Sequence, residues 1–270
     1  MKTIRRISIL TLLFASFLFL GTIGIAQNTG TGVSPSGDEA DLVGTADEEL
    51  VNFVIDDFEK APDWYVDMPR DQGVIFTMPR EGAPAVVVKA LETISNENAR
   101  FVEQKREQGV LPLDNPLIGF PYKEQKHVLG VRVEYLRRGY HWFTVRPAIP
   151  VKIPGICKSV SVYVVGRGIN NWLWLMLRDY EGNKRYLSSM RPLTHMGWRK
   201  ILFPIRSTIA QGDHKNTDPR KLGITFDGFL INCDPLEAHG TYYIYFDLLT
   251  AQVNLYYEFQ VDNDDMRDYW

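Results

Sequence analysis

Short runs of apolar residues recur at every second position through much of this chain. Val131, Val133 and Tyr135 alternate with Arg132 and Glu134; Val160, Val162 and Val164 alternate with Ser161 and Tyr163; Tyr242, Ile244 and Phe246 alternate with Tyr243, Tyr245 and Asp247. Successive side chains of a strand point to opposite faces, so such a run buries one face, whereas a helix needs a period near 3.6. Similar runs read at 53–58, 85–89, 141–145, 172–177, 185–190, 198–205 and 223–233, with Asp179 to Asn183 as a hairpin turn. Gly and Pro punctuate them at short spacing. The pattern predicts an all-β fold, a β-sandwich or jelly roll. Helix is scarce, and Glu92 to Gln108 is the best candidate. Pro112, Pro116 and Pro121 make the stretch after it irregular, so 80–127 is expected to be a long insertion between early and later strands.

The ends of the chain differ from this body. Lys2, Arg5 and Arg6 precede an apolar run from Ile7 to Leu20, and Gly24 and Ala26 supply small residues for cleavage. This is the grammar of a signal peptide over 1–26; the competing possibility is an uncleaved anchor, since the run reaches the lower length of a bilayer span. Cleavage takes the net charge from −3 to −6, which argues against nonspecific nucleic-acid binding and leaves no membrane segment. Residues 27–50 are polar, without periodicity, and read as a flexible linker. The sandwich is expected over 51–257. Residues 258–270 form an acidic tail with five carboxylates and one arginine, ending in Tyr269 and Trp270. It is either a solvated tail or a partner-binding peptide in which the acids steer and the aromatics anchor.

Signals of catalysis are weak. The chain has no Gly-x-Ser-x-Gly, no His-Glu-x-x-His and no phosphate loop, and its five histidines are dispersed. Gly166-Arg167-Gly168 lacks the third glycine of a dinucleotide fingerprint and reads as a turn. Asp179, Glu181 and Asp227 fall in turn-like contexts, where a surface carboxylate is the default. No enzyme and no resident cofactor are expected. One metal arrangement is allowed: terminal strands of a sandwich often lie side by side, which would let Glu59 and Asp247 offer oxygens to Ca²⁺. An exported chain also permits a disulfide between Cys157 and Cys233, the alternative being two buried thiols. Trp172 and Trp174 alternate with leucines and share a face, as core, as interface anchors or as a platform for sugar rings. Tyr243 and Tyr245 mark an outer face suited to lateral contact. Arg137 and Arg138 belong to a basic group with Arg132, Arg199, Lys200 and Arg206, expected on adjacent strands.

Several segments, in order, resemble the flagellar filament outer layer (sheath) proteins of spirochetes. They are Asp57-Phe58-Glu59, Leu129 to Tyr140, Ile153-Pro154-Gly155, Lys158 to Arg167, Leu177 to Gly182, Gly197-Trp198-Arg199 and Tyr242 to Asp247. The resemblance covers about residues 53–250. It implies a galactose-binding-like jelly roll and a periplasmic structural protein that coats the flagellin core of an internal flagellum alongside other sheath proteins. By the same resemblance the coat influences filament shape and stiffness, and no catalytic residue is carried over. A different class, a periplasmic carbohydrate-binding module, stays open on the two tryptophans.

Overall fold

The alternating runs form strands that stack as two antiparallel sheets, as their period requires. The structure, a computed structural model, describes residues 50–60, 63–107, 126–212 and 223–254, except for the side chains of 105–107. The expected signal peptide, the linker up to residue 49 and the acidic tail lie outside the described residues. In chain order come β1 (Leu50–Asp56), β2 (Trp64–Asp67), β3 (Gly73–Glu81) and one helix, α1 (Ala85–Glu107). Next are β4 (His127–Tyr135), β5 (Trp142–Pro147), β6 (Val151–Ile153) and β7 (Ile156–Val165). Then follow β8 (Trp172–Arg178), β9 (Lys184–Ser188), β10 (Arg199–Pro204), β11 (Ile224–Asn232) and β12 (Thr241–Asn254).

The first sheet runs β10-β7-β12-β4-β3 and the second β2-β5-β11-β8-β9. Each is built around one strand that serves two partners end to end along one edge. β12 pairs β4 from Thr241 to Phe246, then β1 from Leu249 to Asn254. β11 pairs β6 from Ile224 to Phe226, then β5 from Phe229 to Asn232. At each changeover the register slips. Gly228 (φ 130°) takes up the slip in β11, where a Cβ would lie 2.6 Å from the Val145 carbonyl oxygen. In β12 the slip falls between Asp247 and Thr250, and Leu248 is left-handed (φ 43°).

The inward faces fill one core. Phe58, Trp64, Phe226, Phe229 and Phe246 pack ring to ring with centroids 4.8–6.4 Å apart. Leu173, Leu175, Val160, Val162 and Ile244 are fully buried around them. Each such side chain contributes about 1.5–3 kcal/mol of burial. Tyr242 is buried with them, and its hydroxyl donates to the Gly166 carbonyl at 3.3 Å, which offsets its desolvation.

Three expectations are corrected here. The apolar run 85–89 is not a strand but the first turns of α1, which begins after Pro84 and runs to 107. Its buried residues Val87, Leu91, Ile94 and Asn98 recur at helical spacing; the first three rest on Val54 and Leu248, and Asn98 Nδ2 donates to the Asn52 carbonyl at 2.9 Å. The 80–127 insertion is therefore helical over most of its described part; 108–125 lie outside it. Second, β3 was hidden by Pro79, a residue tolerated here because β3 is an edge strand. Third, the basic group does not sit on adjacent strands: β10, with Arg199 and Lys200, is separated from β4, with Arg132, by β7 and β12. The hairpin expected at 179–183 does form, joining β8 to β9.

Candidate functional site

Among the described residues no helix is long and apolar enough to cross a membrane. Three places on the sandwich carry exposed or unusually placed chemistry.

On the outer face of the first sheet, Gly130 sits opposite Tyr245. A Cβ there would lie 3.0 Å from the Tyr245 ring and collide with the Met78 carbonyl, so glycine lets the ring lie over β4. Arg80 reaches it from β3, donating to the Tyr245 hydroxyl at 3.1 Å with its Cζ 5.6 Å from the ring centroid. Arg167 reaches it from the turn after β7, with Cζ 5.3 Å away. Two guanidinium groups thus share one aromatic ring. They bound a groove of about 320 Å³ whose far wall includes Met196 and Trp198. Arg167 holds a left-handed backbone (φ 61°), uncommon for a non-glycine residue. Tyr243 is half-buried beside the groove, and Phe76 and Met78 on β3 are exposed. The turn expected at 166–168 is therefore part of a surface feature that sequence spacing could not reveal.

On the outer face of the second sheet, Trp142 and Trp172 flank Asn232 on neighbouring strands. Both are exposed, and Trp174 is half-buried beside them. Trp172 and Trp174 do share a face, as their spacing predicts, but it is the outward one, while Leu173 and Leu175 enter the core. Trp142 was legible in the sequence only as a member of a strand. The Trp174 indole N–H is buried and has no hydrogen-bond partner among the described residues.

The third place is the slip in β12. Terminal strands β1 and β12 pair, and this brings Asp57 and Glu59 near Asp247. Glu59 accepts the backbone N–H groups of Lys126 (2.6 Å) and His127 (3.0 Å) and meets His127 Nδ1 at 3.0 Å, tying the end of β1 to the start of β4. Asp247 is fully buried; Oδ1 accepts the Leu248 N–H at 2.8 Å, and Oδ2 has no partner among the described residues. Burial, opposed by that hydrogen bond and reinforced by the charges of Glu59 and Asp57, pushes its pKa up to about 8. A buried carboxylate oxygen without a donor among the described residues, with two further carboxylates near enough to raise its pKa, suits a hard cation that takes oxygen ligands. Among the described residues no three His, Cys, Asp or Glu side chains converge as a ready ligand set, so backbone carbonyls or water would complete the shell.

Other expected residues stand apart. Arg137 pairs with Asp71 at 2.7 Å on the exposed surface, and Arg138 is exposed in the same loop. Tyr269 and Trp270 lie outside the described residues. The disulfide has no place in this fold: Cys157 and Cys233 are free and buried. Cys157 lies opposite Val253 at one end of β12, while Cys233 meets the Tyr135 hydroxyl at 3.1 Å near its other end. A bridge needs Cα atoms within about 7 Å. Burial pushes both thiols up, Cys157 to about 12 and Cys233 to about 11, so neither is a reactive nucleophile. Asp179 and Asp227 are not surface turn carboxylates. Both are buried, Asp179 against Arg185 at 2.9 Å and Asp227 against Arg178 at 2.8 Å.

The model of the family "Flagellar filament outer layer protein Flaa" matches residues 120–263. The chain is 37% identical over 223 residues to a protein of Brachyspira hyodysenteriae named as flagellar filament outer layer-like, covering 83% of this chain and 88% of the relative. Among solved structures, it is similar to a carbohydrate-binding module of the β-sandwich superfamily at 9% identity and a TM-score of 0.39, covering 73% of this chain and 59% of that one. A family 11 carbohydrate-binding module of Clostridium thermocellum matches at 9% identity and a TM-score of 0.37, over 75% and 94% of the two chains.

Proposed function

This chain belongs to the flagellar filament outer layer family, and from that premise we propose that it is a sheath subunit around the flagellin core of a periplasmic filament. In this role it is exported by its signal peptide, does no catalysis, and contributes to filament shape and stiffness and so to motility. The family match carries the proposal. The surface supports it: both outer sheet faces expose large aromatic or apolar side chains, among them Phe76, Met78, Trp142 and Trp172. A coat needs only modest contacts of this kind, because a polymeric template repeats each one many times. Co-sedimentation of the purified chain with isolated filaments tests it. Saturable binding released by salt or mild acid is expected; a chain that stays in the supernatant at every ratio overturns it.

The row of Trp142, Trp172 and Trp174 favours one second reading, a module that binds carbohydrate on the second sheet. Soluble glycans would then quench tryptophan fluorescence saturably, and Trp172→Ala would abolish the quench while filament binding stayed absent.

Calcium belongs to the proposal as a structural ion. Asp247 and Glu59 would hold it, and it would bind the β12 slip to the junction of β1 and β4. Thermal unfolding is expected to move up by several degrees on adding millimolar calcium. An unchanged midpoint with calcium or chelator would remove the ion from the account.

A further inference from the structure

We propose that residues 258–270 of a second copy of this chain dock in the groove bounded by Arg80 and Arg167 over Tyr245, joining copies head to tail. This deepens the sheath proposal by naming one of its contacts.

Charge comes first. Arg80 and Arg167 converge on one ring, and neither has a carboxylate within ion-pair distance among the described residues. Among the described residues Glu81 is the one carboxylate in the groove lining. Segment 258–270 carries Glu258, Asp262, Asp264, Asp265 and Asp268 against a single arginine. Acid placed between the two guanidinium groups relieves their mutual repulsion and forms charge-assisted hydrogen bonds.

Shape comes second. The groove's 320 Å³ falls in the range of small-ligand pockets, and its walls offer Met196 and Trp198; Met78 is exposed in an adjoining hollow that shares Arg80, Arg167 and Tyr245. Tyr269 and Trp270 are aromatic anchors of the kind that such surfaces take.

Reach decides which copy supplies the segment. The described chain leaves β12 at Asn254, nine residues from Tyr245, which is roughly 30 Å along the strand. α1 occupies the outer face beyond the groove, packed on Val54 and Leu248. A chain returning over its own sheet would have to cross that helix, whereas a segment supplied by a neighbouring copy reaches the groove from outside without crossing it. The contact joins unlike surfaces, so it extends into rows rather than closing as a dimer.

Sedimentation velocity of the purified full chain tests this, with two variants. Arg80→Ala with Arg167→Gly empties the groove, the glycine keeping the left-handed backbone without strain. Tyr269→Ala with Trp270→Ala blunts the segment. Circular dichroism melts establish that both fold as the parent does. The parent is expected to self-associate with rising concentration, and each variant about tenfold more weakly or worse. An equimolar mixture of the two is expected to form dimers and nothing longer, because it retains one productive pairing. The proposal is overturned if either variant associates as the parent does, if the parent stays monomeric at high concentration, or if the mixture forms no dimers. It is also overturned if cross-linking finds the segment in the groove of its own chain. A parent that self-associates yet ignores filaments would overturn the sheath proposal and leave this contact standing.

Discussion

Asp247 and Asp179 are both buried carboxylates, and they behave in opposite ways because their neighbours differ. Asp179 closes the β8–β9 turn. Burial raises its pKa, but hydrogen bonds from Arg185 and Asn183 outweigh that and hold it below the ordinary carboxylate range. A group whose folded pKa is depressed stabilises above its unfolded pKa and loses that contribution as pH falls through the folded value. Asp179→Asn is therefore expected to cost about 1 kcal/mol at neutral pH, shrinking toward zero as the parent is acidified below its ordinary carboxylate pKa; urea denaturation across that window checks it. Asp247 has no cation beside it and faces Glu59 and Asp57. Asp247→Asn removes the cost of burying this carboxyl, which at neutral pH must take up a proton on folding, so the metal-free protein should melt a few degrees higher than the parent and lose any response to calcium. A lower melting point without metal would show the carboxylate to be stabilising as it stands. Sequence alone allowed Glu59 to meet Asp247, because first and last strands of a sandwich tend to pair. It could not show that the meeting point is a slip in the ladder, since a bulge leaves no mark in a period-two pattern.

At the scale of elements, the legible strands were those with one face in the core. β4 and β7 alternate apolar with polar side chains, β8 alternates leucine with tryptophan, β12 begins by alternating buried with outward aromatic side chains, and each lies where its pattern predicts. β3 broke the pattern: Val74, Phe76 and Met78 point outward and are exposed, with Pro79 after them. Its apolar residues serve the outer surface, so core logic does not find it. α1 is found where Glu92 to Gln108 was expected to be helical, but its first turns read as strand for a related reason. Its first turn contains Val86, Val87 and Val88, whose branched side chains favour strands, and only contact with the sheet decides for helix. The helix covers a satellite cluster on the first sheet. Leu91→Ala should cost about 2–3 kcal/mol, measured by chemical denaturation, with the main core intact by near-ultraviolet circular dichroism. A change below about 0.5 kcal/mol would mean that α1 is loosely attached.

For the whole molecule, fold class was readable from periodicity and the family from an ordered set of motifs, but the surfaces were not. Tyr243 and Tyr245 were visible as an outer face. The convergence of Arg80 and Arg167 on Tyr245 joins positions 80, 167 and 245, and no local pattern links residues so distant. Trp142 and Trp172 are likewise neighbours only because β5 and β8 border the same strand. The way β11 and β12 each span two shorter partners has a mechanical result. Neither half of a sheet can slide away from the other without shearing the full length of a continuous strand. Each unit should therefore answer a bending force as one rigid tile, and the compliance of any coat made from it must reside in the joints between tiles.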